Sequence, residues 1–316
     1  MKDVGAVIVT YNSGAEIGSC LDAALAHVAE VAVVDNGSTD GTLEEVRKRP
    51  QVKLIVNSQN RGFAAAVNQG FSLLSTRLVL LLNPDAELLT GVEFLAKACG
   101  RPGTGAAAGK LVDAAGKPQT GFMVRRLPTP VALSFEVLGL NRIWPGNPVN
   151  RRYRELDADP DEARDVEQPA GAFLMVRRDV WLSAGGFDER FHPLWFEDVD
   201  FCKRLQDKGL RVYYEPAAVA RHSGGHSVGR ISRESRVICW YASLLKYSSK
   251  HFSLSGLFLV DSAIVLGSML RMLVESVSQR NLRPFKIYRN VIRLAVVQMM
   301  TCRCRETRSM PVPARY

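Results

Sequence analysis

The chain has 316 residues, 47% of them hydrophobic and 23% charged, and carries a formal net charge of +9. Those proportions allow one large or two smaller globular domains and exclude a disordered, collagen-like or disulfide-stapled chain. The charge sits in the tail: residues 271–316 hold ten basic residues against two acidic, and residues 1–100 hold eight against eleven. Leu, Ile, Val and Met rather than aromatic rings separate the basic residues of that tail, which argues against a nucleic-acid reader.

The start, MKDVGAVIVTYN, runs from Asp3 directly into strand-like sequence without the regions of a signal peptide, so a cytosolic protein is expected. The six cysteines (20, 99, 202, 239, 302, 304) have no framework spacing, which predicts reduced thiols rather than disulfides or zinc. VGAVIVT (4–10) reads as a buried strand. Ile17, Leu21 and Leu25 at fourfold spacing predict a helix over 15–26. VAVVD (31–35) is a second strand, and Ser38 and Asp40 offer N-caps for a helix running to about Arg49. VKLIV (52–56), a helix from Phe63 to Leu74 and LVLLL (78–82) follow. Strands alternating with helices predict βαβ units, hence an α/β, doubly wound, mostly parallel sheet.

Ligands of such sheets sit beyond the carboxyl ends of the strands. Here those ends carry Thr10-Tyr11-Asn12-Ser13, Asp35-Asn36-Gly37-Ser38, Asn57 with Asn60-Arg61-Gly62, and Asn83-Pro84-Asp85. Four polar loops converging on one edge predict a pocket. No G-x-G-x-x-G follows the first strand and no Walker A loop is present, which excludes the usual glycine cradles for phosphate. In VLLLNPDAEL (79–88) an apolar run ends in a turn that presents Asp85 and Glu87. Two readings compete: a solvated turn, or a cradle for a divalent cation that carries a ligand's phosphates.

Taken together, IVTYNS (8–13), VVDNGSTDGT (33–42), NRGFAAAVNQG (60–70) and LLLNPDAEL (80–88) resemble the nucleotide-binding half of the family 2 glycosyltransferases, inverting enzymes with the GT-A fold. GAFLMVRR (171–178), GGFDERF (185–191), FEDVDFCKRL (196–205) and RHSGGHS (221–227) are similar to the acceptor half, and the bacterial rhamnosyltransferase-like branch is the nearest match. The resemblance implies a Rossmann-like nucleotide-sugar-binding half over 1–100 and an acceptor half over 101–228. A helical C-terminal extension, 229–316, follows.

Residue roles follow from the same resemblance. Thr10, Tyr11, Asn12 and Asn36 would line the base and ribose pocket, with Asp35 accepting from a pyrimidine N3–H. Asn60, Gly62 and Asn68 would frame the donor, with Asn83 beside them. Asp85 and His222 would hold Mg²⁺ or Mn²⁺. Glu87 stands where the family often has a second Asp, and direct ligand, water-mediated ligand and solvated helix-start charge all stay open for it. Asp198 would be the base that deprotonates the acceptor hydroxyl, with Glu197, Trp195, Gly171 and Ala172 on the acceptor side. Asp200 reads better as an N-cap or a salt-bridge partner of Arg204, and His226 has no assigned role. Lys117–Pro169 carries no motif and reads as a mobile flap with acceptor contacts.

The implied partners are a dTDP- or UDP-sugar donor, dTDP-rhamnose first, and a polyprenyl-linked saccharide acceptor. A non-catalytic nucleotide-sugar-binding scaffold is the rival class. LSGLFLVDSAIVLGSML (254–270) is short for a span and carries Asp261. With the basic residues that follow, it predicts peripheral attachment to an anionic membrane surface, on the inner face of the cell membrane. The alternatives are packing on the catalytic domain or a homodimer through the C-terminal helices.

Overall fold

In the computed structural model, residues 1–224 and 231–309 are described, with side chains as far as Thr301. The predicted strands form almost to the residue: β1 (Val4–Thr10), β2 (Glu30–Asp35), β3 (Lys53–Val56) and β4 (Leu78–Leu82). Helices α1 (Ile17–His27), α2 (Thr42–Arg47) and α3 (Phe63–Leu73) lie between them in sequence. The residue at the N-cap of α2 is Gly41 rather than the expected Ser38 or Asp40, and Asp40 accepts from the Thr42 N–H at 3.0 Å in the turn just before it. β5 (Ala86–Thr90) and α4 (Val92–Cys99) come next, then β6 (Thr104–Val112) and β7 (Val124–Arg125). The chain continues through α5 (Pro130–Leu138), α6 (Leu140–Ile143), α7 (Pro148–Tyr153), β8 (Arg164–Val166), β9 (Gln168–Pro169) and β10 (Phe173–Arg177). It ends in α8 (Arg178–Ala184), α9 (Glu197–Asp207), β11 (Arg211–His222), α10 (Arg233–His251), α11 (Leu254–Gln279) and α12 (Arg283–Ser309).

The main sheet has the order β3-β2-β1-β4-β10-β6-β11-β5, with β8 paired to β11. β1 to β4 are mutually parallel, and every residue of β1 and β4 is buried, which is why these strands read as unbroken apolar runs. β10 enters antiparallel between β4 and β6. The sheet is thus parallel in its first half and mixed in its second.

Register builds the functional edge. Thr10 pairs with Asp35 and Asp35 with Val56, so three carboxyl ends finish at one level. Because β10 is antiparallel to β4, Phe173 pairs with Leu82, and Gly171-Ala172 lie at that same end. The Asn83 N–H donates to the Ala172 carbonyl at 3.1 Å. β11 returns antiparallel to β5 and sets His222 opposite Ala86.

The chain divides into two compact units, Met1–Leu127 with Arg152–Ser232, and Pro128–Arg151 with Arg233–Tyr316. The sequence expectation of a flap over 117–169 is corrected for its middle part. Thr129 caps α5 by accepting from the Ala132 N–H at 3.1 Å, with Pro130 at the helix start. Ala132, Leu133 and Val137 are buried within the second unit. Gly256 and Gly267 of α11 let α5 approach; a Cβ on Gly267 would lie 2.1 Å from the Val137 carbonyl oxygen. The apolar face of α5 has to be covered, and α11 covers it.

Candidate active site

A cavity of about 380 Å³ opens in the first unit at the carboxyl edge of the sheet. Its wall includes Tyr11, Asn36, Asn60, Asn83, Asp85, Gly171, Ala172, Trp195, Glu197, Asp198 and His222, brought together from seven separate stretches of chain.

On one wall the Asp85 Oδ1 and His222 Nε2 atoms are 3.5 Å apart, both nearly buried. Gln119 fixes the imidazole. Its amide Nε2 donates to the His222 carbonyl at 2.7 Å, which orients the amide so that Oε1 faces the ring Nδ1 at 3.0 Å. A carbonyl oxygen there calls for the proton on Nδ1, so in the neutral ring Nε2 is the acceptor nitrogen, facing Asp85 with the Asn83 amide nitrogen 3.4 Å away. Phe122 stacks on the ring at 5.3 Å between centroids. An acceptor nitrogen facing a carboxylate oxygen, with the other ring nitrogen held by an outer partner, is the donor set expected of a cation site. Among the described residues no third His, Cys, Asp or Glu joins the pair. Two protein ligands supplemented by phosphate oxygens and water suit Mg²⁺ or Mn²⁺, which seldom take all-protein cages.

Glu87 is not part of this set. It lies on β5 rather than at a helix start, and strand alternation turns it away from the cavity, where its carboxylate meets Arg221 at 2.8 Å. His226 lies outside the described residues.

On another wall, Trp195 and Phe196 take left-handed backbones, φ 77° and 71°, and lead into α9. Two adjacent bulky residues in that region are costly, about 1–3 kcal/mol each, and such geometry concentrates at functional sites. It delivers Glu197 and Asp198 to the cavity in the first turn of α9. Asp198 accepts from the Gly171 N–H at 3.0 Å and the Val199 N–H at 2.8 Å. Burial pushes its carboxyl above the usual range, while those two N–H groups and the Arg125 charge pull the other way. Glu197 is buried, and its Oε2 has no hydrogen-bond partner. Burial first, and the adjacent Asp198 charge second, hold Glu197 well above the carboxylate range. The neighbours therefore differ: burial and the adjacent charge favour the protonated form of Glu197, while two backbone N–H groups favour the carboxylate of Asp198. Asp200 is buried and pairs with Arg204 at 2.8 Å, the salt bridge read from the sequence.

Several donor-side residues lie behind the cavity wall. Asp35 is fully buried and accepts from the hydroxyls of Thr10 and Ser38 (2.8 and 2.5 Å) and the N–H groups of Gly37 and Ser38 (3.1 and 2.9 Å). Four donors fill its acceptor capacity, so a base could reach it only after a hydroxyl turns away. Asn12 accepts from the Thr39 N–H at 2.7 Å and orders that loop. Asn68 is engaged at both ends of its amide by Phe187, and also by Glu189. Gly62 has φ 87° and lies against His192 and Pro193.

Sequence reasoning missed Gln119 and Phe122, which fell within the stretch read as a flap. It also gave no role to Pro193 and Leu194, which line the cavity. No local pattern marks Gln119, since its partner is 103 residues away.

The family model for glycosyl transferase family 2 matches residues 6–163. The chain is 33% identical over 250 residues to the N-acetylglucosaminyl-diphospho-decaprenol L-rhamnosyltransferase of Mycobacterium tuberculosis, covering 73% of this chain and 79% of that protein. It is 38% identical over 61 residues to the rhamnosyltransferase WbbL of Escherichia coli, covering 19% and 23% of the two chains. Among solved structures, GalNAc-T7 with UDP, GalNAc and Mn²⁺ aligns with a TM-score of 0.53 at 15% identity, covering 70% of this chain and 44% of that one. At that identity the likeness speaks to the GT-A fold alone.

Proposed function

The chain belongs to glycosyl transferase family 2, and from that premise we propose that it moves L-rhamnose from a dTDP donor to a saccharide held on a polyprenyl diphosphate. The observation that carries this reading is a single cavity that presents Asp198 together with the Asp85–His222 pair. Inverting transfer needs a base near the acceptor hydroxyl and positive charge near the departing diphosphate.

In this reading the acceptor hydroxyl sits against Asp198. The carboxylate takes its proton as the oxygen bonds to the anomeric carbon. The bond from that carbon to the diphosphate breaks on the opposite face, and the electron pair leaves with the nucleoside diphosphate. Gly171 and Val199 keep Asp198 aimed through its two backbone bonds. Asp85 and His222 would hold the divalent cation, which supplies neutralising charge to the diphosphate when bound. Tyr11, Asn36 and Asn60 line the cavity on the nucleotide side. The choice of rhamnose and of a polyprenyl carrier rests on the Mycobacterium tuberculosis relative. A membrane-borne acceptor is what a protein attached to the cytoplasmic face of the membrane would serve.

The test is a donor panel of dTDP-rhamnose, UDP-glucose and UDP-N-acetylglucosamine with a polyprenyl-diphosphate-linked acceptor, scored by nucleoside diphosphate release with and without EDTA. Release from dTDP-rhamnose that EDTA abolishes and Mg²⁺ or Mn²⁺ restores is expected. Release from a UDP-sugar alone would move the donor to the second reading. No release from any donor would leave a binding scaffold.

A further inference from the structure

The outward face of α11 is apolar where a helix on a water-soluble surface would be polar. Leu266, Met269, Leu270, Leu273, Val274 and Val277 recur at helical spacing and form one stripe, and all are exposed, Val277 by 70%. The opposite stripe, with Val260, Ile264 and Gly267, is buried within the helical unit. A helix that is apolar on both faces, one of them uncovered, is built to meet a second apolar phase.

A second element reaches the same end. α5 runs alongside α11, with Pro130 against Gly256 and Val137 against Gly267. Arg271 then donates to the carbonyls of Val137 and Glu136. The chain leaves α5 at Gly139 beside Arg271, so Leu140, Ile143 and Trp144 follow at the level of the stripe. Ile143 is 82% exposed and Trp144 62%. Leu282, 77% exposed, and Phe285 extend the apolar surface past the C-terminal end of α11.

Charge indicates what covers this surface. The exposed charges around it, Arg142, Arg280, Arg283, Lys286 and Arg289, are all basic. The neighbouring acids are engaged: Glu275 by Arg233 and Tyr288, and Glu136 by Asn141. Apolar side chains ringed by arginine and lysine, with a tryptophan among them, complement an anionic bilayer interface.

We propose that Leu140–Trp144, the C-terminal half of α11 and the turn into α12 form one docking surface that lies in the plane of an anionic phospholipid membrane. The proposal deepens the membrane reading made above by naming the surface, and it stands on geometry independent of the sugar chemistry. Trp144 sits at headgroup depth, the α11 stripe faces the acyl chains, and the basic residues meet lipid phosphates.

The test is flotation of the full chain with phosphatidylglycerol/phosphatidylethanolamine vesicles and with phosphatidylcholine vesicles, at low and high salt. Two variants are compared, Ile143→Ser/Trp144→Ser and Leu273→Gln/Val277→Gln. The parent is expected to float with anionic vesicles and to lose about tenfold of its partition on neutral ones or at high salt. Each variant is expected to lose at least about tenfold with an unchanged thermal midpoint. Transfer to a water-soluble acceptor should persist in both, which separates failure of docking from failure of the transferase reading. If a variant does not fold, the lipid and salt dependence of the parent decides. A parent that does not float at low salt, or variants that float as well as the parent, would overturn the proposal. Resistance to alkaline carbonate extraction would show a span and overturn in-plane docking. A dimer that binds no vesicles, and that Ile143→Ser/Trp144→Ser converts to monomer, would assign the face to a second copy instead.

Discussion

Gln119 grips His222 at two points, its amide nitrogen 2.7 Å from the histidine carbonyl oxygen and its amide oxygen 3.0 Å from the ring Nδ1. Both bonds are needed to fix one tautomer. The carbonyl, which only accepts, orients the amide, and the amide oxygen then holds the Nδ1 proton. In the neutral ring the Nε2 lone pair then faces Asp85, with the Asn83 amide nitrogen 3.4 Å away, as a consequence of a residue that does not itself line the cavity.

Removing the grip should therefore weaken cation binding. Gln119→Leu is expected to lower Mn²⁺ affinity by about 10–100-fold, the range for outer partners of ligating histidines. Titration of Mn²⁺ in the presence of dTDP, followed by the electron paramagnetic resonance of the free ion, reads this without turnover. Gln119→Glu keeps an acceptor at Nδ1 and should retain more affinity. Equal affinity in parent and Gln119→Leu would remove the positioning role.

The parallel half of the fold was legible because burial on both faces leaves apolar runs of strand length, and β1 and β4 match theirs to the residue. Asp85, Asp198 and His222 were legible only as parts of an ordered set of motifs. What the sequence could not give was side-chain direction. Thr10 and Asp35 read as pocket residues, yet their register pairs them with each other and turns both from the cavity. Glu87 sits two residues from Asp85, but Asp85 lies in the turn before β5, while Glu87, on the face opposite Ala86 and His222, pairs across the sheet with Arg221. The helices of 128–151 were hidden for a different reason. α5 is short, and much of what covers its apolar face, α11, begins more than 110 residues later.

Gly62→Ala should be strained twice over. The position has φ 87°, and an added Cβ would lie 2.8 Å from the His192 ring and 3.2 Å from the Pro193 carbonyl oxygen. Left-handed strain in a non-glycine residue costs about 1–3 kcal/mol. Because the Phe63 N–H donates to Pro193 at 2.7 Å, relief would shift the cavity wall that Pro193 and Leu194 form. The expected outcome is a lower thermal midpoint together with a raised KM for the donor. Parent-like values of both would show that the contact yields without cost.

Asp261 predicts a stability that depends on pH. It is fully buried in the helical unit, Gln298 donates to its Oδ1 at 3.2 Å, and its Oδ2 has no partner. Burial raises its pKa to about 7, with the Gln298 bond opposing. Against an unfolded value of about 3.9, the folded state holds a proton that the unfolded state has lost. Stability is therefore greatest at low pH, falls as pH rises toward 7, and levels off above it. Asp261→Asn removes the buried charge. Its thermal midpoint should exceed the parent's by at least about 3 °C at pH 8, and the gap should shrink by more than half near pH 5 and close toward the unfolded value of about 3.9. An equal difference at both pH values would mean that Asp261 does not titrate in this range.

The two neighbouring acids of α9 should separate cleanly in kinetics. Asp198 acts as a base only when ionised, and burial raises its pKa, so transfer should fail on the acid side at a pH above the ordinary aspartate value. Asp198→Asn keeps an acceptor for the Gly171 or Val199 N–H but cannot take a proton. Its kcat should fall by about 10²–10⁴-fold while dTDP still binds, as measured by calorimetry. Glu197 differs because burial, and after it the Asp198 charge, both favour its protonated form. Glu197→Gln preserves that neutral state and the side-chain volume, so its loss in kcat should stay below about tenfold, with the acid limb of the pH profile unmoved. A Glu197→Gln loss as large as that of Asp198→Asn would exchange the two roles. Full activity in Asp198→Asn would take the base role away from Asp198.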